Sequence, residues 1–120
     1  MNISVLAVDD SRTMRDMITL ALRDDGFEVT VAEDGLHGLE VLEILAPDVI
    51  ITDINMPRLD GFGFIDAVRR RDRSSLTPIL VLTTESSEEL KARARSAGAT
   101  GWIVKPFAQD KLIRALRTVA

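Results

Sequence analysis

The fold of this chain is decided by the segment VLAVDD at residues 5–10, an apolar run that ends in two carboxylates. Three later apolar runs follow the same plan, and each ends at a single polar side chain: Asp53 after VIIT, Thr83 after ILVL and Lys105 after WIV. Ligands of open parallel sheets bind outside the carboxyl ends of the strands. If these runs are parallel strands, three carboxylates, one hydroxyl and one ammonium converge at one edge of a sheet.

Strands and helices alternate five times along the chain, a pattern that predicts one α/β domain. The strand candidates are residues 3–8, 27–32, 49–53, 79–83 and 101–105. The first, third and fourth are continuous apolar runs, typical of strands buried on both faces, whereas the second alternates and suits an edge. Right-handed crossovers then favour a five-stranded parallel sheet in the order 2-1-3-4-5, with five helices on both faces. This flavodoxin-like arrangement opens its crevice between strands 1 and 3.

Helical spacing and end signals locate the five helices between these strands. In the first helix, Met14 and Met17 are predicted to belong to the core face. In the fourth, Ser86 and Glu89 fit a capping box. The basic run at residues 69–73 ends the third helix and is interpreted as a solvated face.

Composition sets limits on the class of protein. With 120 residues, 46% of them hydrophobic, we expect a single domain over residues 1–120 and no output domain. The net charge of −4 argues against nonspecific binding to nucleic acid. The absence of cysteine and the single histidine exclude disulfides and thiolate or histidine-cluster metal sites. No leader peptide and no membrane-spanning run of about 20 apolar residues is recognised, so we expect a cytoplasmic protein without membrane contact.

Three carboxylates that converge at one site repel one another, and this repulsion must be compensated. Two unit charges 4 Å apart repel by roughly 4 kcal/mol at an effective dielectric of about 20, so the site must raise a pKa or bind a cation. Oxygen ligands suit Mg²⁺, Ca²⁺ or Mn²⁺, and a site that leaves water on the metal suits Mg²⁺. An aspartate beside Mg²⁺ can form an acyl phosphate, with Lys105 and Thr83 available to neutralise the phosphoryl oxygens. No nucleotide-binding P-loop is present, so the predicted donor is another protein or a small phosphate.

At this point the residues resemble the receiver domain of two-component response regulators, over the whole chain. The matching motifs are VDDS at 8–11, DINMP at 53–57, DG at 60–61, Thr83, and KPF at 105–107. The resemblance implies that Asp53 is the phosphoacceptor and takes its phosphoryl group from a kinase phosphohistidine. It implies that Asp10, Asp53 and the Asn55 backbone carbonyl bind Mg²⁺ directly, and that Asp9 does so through water.

The resemblance also assigns roles in switching. Lys105 is expected to contact the phosphate, with a cis peptide bond between Lys105 and Pro106. Thr83 is expected to move toward the phosphate, followed inward by the aromatic residue of strand 5. That residue is Trp102, where tyrosine, phenylalanine or histidine is more usual.

Two positions that tune hydrolysis of the acyl phosphate in this family hold Asn55 and Glu85. This pair resembles chemotaxis regulators of the CheY type, which implies a stand-alone signalling protein rather than an enzyme. Such a protein catalyses only its own phosphorylation and slow dephosphorylation. The partners so implied are a chemotaxis histidine kinase, the flagellar motor switch protein and a phosphatase, with the regulator itself a monomer.

Three alternatives remain open at the level of sequence. A phosphorelay shuttle or a phosphate sink would use the same receiver chemistry without the motor. A phosphatase with an aspartate nucleophile typically carries a second aspartate two residues later, where this chain has Asn55. A flavin carrier would need a phosphate-binding loop rich in glycine and hydroxyl side chains after strand 1, which is not found there.

Overall fold

The computed structural model describes residues 2–120, which form five parallel strands and five helices. The strands are β1 (Ser4–Val8), β2 (Glu28–Ala32), β3 (Val49–Thr52), β4 (Ile79–Thr83) and β5 (Gly101–Val104). The helices are α1 (Arg12–Arg23), α2 (Gly35–Leu42), α3 (Gly61–Arg70), α4 (Glu88–Ala97) and α5 (Gln109–Val119). None of these helices has the length and apolar character needed to cross a membrane.

The sheet has the order β2-β1-β3-β4-β5, which confirms the predicted topology. The continuous apolar run of β1 lies between β2 and β3, while the alternating β2 lies at the edge. The strand order reverses between β1 and β3, so the crevice for a ligand opens beyond their carboxyl ends. Asp53 and Lys105 each lie one residue past the end of a strand rather than within it.

Two apolar layers cover the sheet, as the prediction of helices on both faces requires. Helices α2, α3 and α4 pack on one face through a cluster whose largest fully buried member is Phe64. Helices α1 and α5 pack on the other face through Ile18, Leu22, Leu112 and Leu116. The sheet is therefore held between two cores, and its carboxyl edge stays open for the site.

Two details of the predicted helices were wrong. Met17 is 47% exposed, because Ile18, Ala21 and Leu22 already supply the buried stripe of α1 and Met17 lies about 100° around the helix from Ile18. Helix α4 is capped by Ser87 rather than Ser86, and the Ser87 hydroxyl accepts a hydrogen bond from the main-chain amide three residues later. Two adjacent serines satisfy the same sequence rule, and only the path of the chain chooses between them.

Arg69 is also different from the solvated residue that the basic run predicted. Its guanidinium donates to the main-chain carbonyls of Thr77 at 2.6 Å and of Gly98 at 2.8 Å, with longer bonds to Ser74 and Ser75. Burial lowers the pKa of Arg69. This side chain therefore ties the end of α3 to the loop before β4 and to the turn after α4.

Candidate functional site

Asp9, Asp10 and Asp53 meet at the carboxyl ends of β1 and β3. Each offers one carboxylate oxygen, and these oxygens lie within 4.8 Å of one another. The register pairs Val8 with Thr52, so the two strands end at the same level. The main-chain amide of Asp53 donates to the Val8 carbonyl at 3.0 Å, which holds Asp53 beside β1. The sheet thus brings together the three carboxylates that the sequence placed at strand ends.

Lys105 bridges the two buried members of this cluster. Its Nζ donates to Oδ2 of Asp9 and to Oδ2 of Asp53, at 2.8 Å in each case. Burial acts to lower the pKa of Lys105, but the hydrogen bonds and charges of Asp53 and Asp9 outweigh burial and raise it. At Asp9 burial dominates, and it raises the pKa of the carboxyl although Lys105 and the Ser11 amide oppose it. One ammonium therefore faces three carboxylates, which leaves an excess of negative charge.

The remaining oxygens of the buried carboxylates are held by the main chain. Oδ1 of Asp9 accepts from the Ser11 amide at 2.9 Å, and Oδ1 of Asp53 accepts from the Ile54 amide at 2.6 Å. Asp10 is the exposed member of the cluster. Two oriented carboxylates and one solvent-facing carboxylate form a hard oxygen donor set, which fits Mg²⁺ because this ion keeps several waters.

The β3–α3 loop, residues 53–60, folds back against the site. The Gly61 amide donates to the Ile54 carbonyl at 2.8 Å. A Cβ at Gly61 would collide with the main-chain oxygen of Asp53, so only glycine fits this close approach. Asp60 caps α3 by accepting from the Gly63 amide at 2.8 Å. The Asp-Gly pair of the sequence motif therefore fixes how the loop leaves the site.

Glu85 connects the other predicted residues through hydrogen bonds. Its Oε1 accepts from Nδ2 of Asn55 at 3.2 Å, and its carbonyl accepts from the Trp102 indole at 3.0 Å. Its amide donates to the buried Thr83 hydroxyl at 3.4 Å. The sequence analysis singled out all four residues but did not predict these bonds. They form one chain across the carboxyl ends of β3, β4 and β5.

The segment after β5 presents Lys105 to the carboxylates. The Lys105 amide donates to the Thr83 carbonyl at 2.7 Å, which extends the pairing of β5 with β4 by one residue. The peptide bond between Lys105 and Pro106 is cis, the geometry that the resemblance implies.

Two arginines near the site were missed by the sequence analysis. Arg15 of α1 donates from Nη1 to the Asp9 carbonyl at 2.8 Å. Arg58 of the β3–α3 loop binds the Asp34 carboxylate through Nε at 2.7 Å and Nη2 at 3.0 Å. Neither arginine ends a strand, which was the signal used. The one sequence signal that bears on this pair is Asp34 directly before α2, since aspartate is a common N-cap residue.

Comparison with known proteins identifies a family whose model matches this chain. Residues 5–117 match the model of the response regulator receiver domain. The chain is 46% identical to chemotaxis protein CheY4 of Vibrio cholerae, whose structure superposes with a TM-score of 0.96 over 100% of both chains. It is 36% identical to a probable chemotaxis protein CheY of Rhizobium etli, over 98% of this chain and 92% of the relative.

A second solved structure is informative about metal binding. The receiver domain of a sensor histidine kinase from Pseudomonas aeruginosa is 27% identical, with a TM-score of 0.91 over 99% of this chain and 98% of that one. It carries a magnesium ion in its active-site cleft. The chain spans about half the length of several other curated relatives that it matches, which are transcriptional and response regulators of mycobacteria.

Proposed function

Since this chain belongs to the family of response regulator receiver domains, we propose that it accepts a phosphoryl group from a histidine kinase on Asp53 and signals by phosphorylation-dependent protein binding. Similarity to chemotaxis proteins of the CheY type over nearly all of the chain supports a role in chemotaxis. In that role this chain acts in the cytoplasm, its phosphoryl donor is a chemotaxis-type kinase, and its output partner is the flagellar motor switch.

One observation carries the assignment of Asp53. The Asp53 carboxylate contacts Lys105. It also follows β3, which pairs with β4, the strand that ends at Thr83. A nucleophilic carboxylate needs a cation beside it, because transfer places further negative charge on the same atoms. Asp9 contacts Lys105 as well, but it is 1% exposed, whereas Asp53 is 8% exposed. An incoming phosphoryl group therefore reaches Asp53 more readily.

We infer that Mg²⁺ is the cofactor. Asp10, Asp53 and the main-chain carbonyl of Asn55 would hold the ion directly, and Asp9 would hold it through water. The bound ion supplies positive charge beside the phosphoryl oxygens. The excess of three carboxylates over one ammonium supports this inference, as does the magnesium in the Pseudomonas aeruginosa receiver.

The transfer step forms a bond between an Asp53 carboxylate oxygen and phosphorus, while the phosphorus–nitrogen bond of the donor phosphohistidine breaks. The leaving imidazole takes a proton from solvent. Lys105 keeps its position next to Asp53 and binds an oxygen of the attached group, and the Thr83 hydroxyl turns toward another. Water later hydrolyses the acyl phosphate, and Asn55 and Glu85, whose side chains are hydrogen-bonded to each other, tune this step.

The output would pass through Trp102. The indole of Trp102 donates a hydrogen bond to the Glu85 carbonyl, two residues after Thr83. A movement of Thr83 toward the phosphate therefore shifts the Thr83–Glu85 segment to which Trp102 is attached. Trp102 also lines an open groove between β5 and α5, together with Lys111 and Arg114. Two cations and an indole suit an acidic partner segment with an apolar residue, and we place the motor-switch contact there.

The acceptor assignment is tested by intact-mass measurement after incubation with acetyl phosphate and Mg²⁺. We expect the wild-type protein to gain one phosphoryl group and Asp53→Asn to gain none. Asp16→Asn, which changes an exposed carboxylate on α1, is the matched control and should behave as wild type. A full gain in Asp53→Asn, or a gain by the wild type that does not need Mg²⁺, would contradict the proposal.

A binding experiment separates the motor role from a phosphorelay shuttle or phosphate sink. The affinity for a peptide of the motor switch protein is measured with and without beryllofluoride as a phosphate mimic. Tighter binding with the mimic supports the motor role, and equal affinity supports a shuttle or sink. Multiple turnover on a small phosphate ester would instead favour a phosphatase.

A further inference from the structure

Arg58 has a backbone conformation that is unusual for an arginine. Its φ of 67° lies in the left-handed region, where glycine and asparagine are the usual residues. Within residues 2–120 no other residue except glycine has a positive φ. An arginine in this position therefore requires a compensating contact of its long side chain.

That contact is a two-bond pair with Asp34. Nε and Nη2 of Arg58 bind separate oxygens of the carboxylate, the geometry in which an arginine–carboxylate pair is strongest. Asp34 is buried and also caps α2 by accepting from the His37 amide at 2.9 Å. Its hydrogen bonds to Arg58, together with the cap, lower the pKa of Asp34 despite its burial. Arg58 is therefore attached to a fixed point at the start of α2.

The neighbours of Arg58 press the same loop onto α2. The Gly35 amide donates to the Leu59 carbonyl at 3.3 Å. A Cβ at Gly35 would lie 2.6 Å from that oxygen, so the close approach depends on glycine. The β3–α3 loop is thus attached at two points. The Leu59 carbonyl is bound by α2, and the Ile54 carbonyl is bound by the Gly61 amide. Asn55 lies between these two attachments.

We propose that Arg58 and Asp34 are a pair of positioning residues, which hold the β3–α3 loop so that the Asn55 main-chain carbonyl faces the carboxylate cluster. This inference rests on the proposed metal site, and it adds a role for two residues that do not touch the ion. Without the pair, the loop samples other conformations, and binding of a divalent cation must first restrict them.

Loss of positioning and loss of charge predict opposite changes in Mg²⁺ affinity when Arg58 is replaced, so one measurement distinguishes them. Removing the cation of Arg58 makes the surroundings of the site more negative and should strengthen Mg²⁺ binding by Coulomb attraction. Loss of positioning should weaken it, by roughly tenfold if the pair behaves as other groups that orient metal ligands do. The sign of the change therefore distinguishes the two mechanisms.

The test uses Arg58→Asn, because asparagine accepts a positive φ without the added freedom of glycine. Arg73→Asn removes the same charge from an exposed turn and is the matched control. Mg²⁺ affinity is measured by calorimetry on the unphosphorylated protein. Amide hydrogen exchange of residues 54–60 is measured without Mg²⁺. We expect weaker Mg²⁺ binding and faster exchange in Arg58→Asn only, with phosphorylation restored at saturating Mg²⁺.

A second variant removes the other partner. Asp34→Asn keeps the cap of α2, since asparagine is also a good N-cap, and should lose affinity to a similar degree. The double variant should be no weaker than either single one, because both remove the same contact. Unchanged or tighter Mg²⁺ binding in Arg58→Asn overturns the inference. If the wild-type protein itself fails to bind Mg²⁺, the proposed function fails instead.

Discussion

Substitution of Lys105 by methionine tests how the acidic cluster is held in the absence of metal. Methionine keeps the length and much of the apolar stem of lysine and removes the charge together with the N–H donors that bind Asp9 and Asp53. The Lys105 side chain is 9% exposed, and the carboxylate side chains of its two partners, Asp9 and Asp53, are 2% and 11% exposed. Lys105→Met therefore leaves two buried carboxylates facing each other without a cation.

The expected cost follows from the two contacts. A pair of unit charges 2.8 Å apart attracts by roughly 6 kcal/mol at an effective dielectric of about 20. Lost hydration cancels much of this attraction, and removal of one partner of a buried ion pair typically costs about 3–5 kcal/mol. We expect the lower end, about 3 kcal/mol of unfolding free energy, because Asp53 keeps some contact with water. For a domain of this size the Tm should fall by roughly 10–15 °C.

The assay is urea unfolding at pH 7, first with a chelator and then with Mg²⁺. Ligand at 100 times its Kd stabilises the folded state by about 2.7 kcal/mol. Since the variant has lost a charge that repels Mg²⁺, it should bind the ion more tightly and regain most of its stability. Lys111→Met, which removes an exposed lysine of α5, is the control and should change stability little. The reasoning is refuted if Lys105→Met matches wild type in the chelator, or if Mg²⁺ stabilises wild type more than the variant.

The remaining predictions concern two other charged side chains, Arg69 and Asp34. Arg69→Met should lower the unfolding free energy in urea by about 2–3 kcal/mol, because the carbonyls of two loops lose charge-assisted hydrogen bonds. Arg70→Met, at a more exposed position of the same helix, is the control and should cost far less. Equal losses of stability in the two variants would contradict the role of Arg69. Asp34 has a pKa below 3.8 in the folded protein, so its stabilising contribution is present above pH 3.8 and is lost as the pH falls through the lowered value. The difference in unfolding free energy between wild type and Asp34→Asn should therefore be constant near neutral pH and shrink below about pH 4; a difference that grows on acidification would contradict it.

Much of the fold could be predicted because its signals are local. The apolar runs of β1, β3 and β4 need only their own composition to indicate strands buried on both faces. Alternation with amphipathic helices then leaves few topologies, and the observed order is the predicted one. The errors arose where two neighbouring residues satisfy one rule equally, as with Ser86 and Ser87 or with Met17 beside Ile18.

The candidate site divides in the same way. The residue types of Asp9, Asp10, Asp53, Thr83 and Lys105, and their places after apolar runs, were enough to predict a phosphoryl and metal site. The hydrogen bonds among them could not be predicted. Whether Lys105 binds Asp9, Asp53 or both depends on distances set by the sheet register and the turn after β5.

By itself, then, the sequence determined the strands from the composition of short segments, determined their order from the alternation of strands and helices, and predicted which groups react. Only the tertiary structure decided which distant side chains meet: Arg58 with Asp34, Arg69 with two separate loops, and Glu85 with both Asn55 and Trp102. The physical reason is that a hydrogen bond or ion pair depends on separations of a few tenths of an ångström. Those separations arise from the packing of all the elements together, and no segment of the sequence specifies them alone.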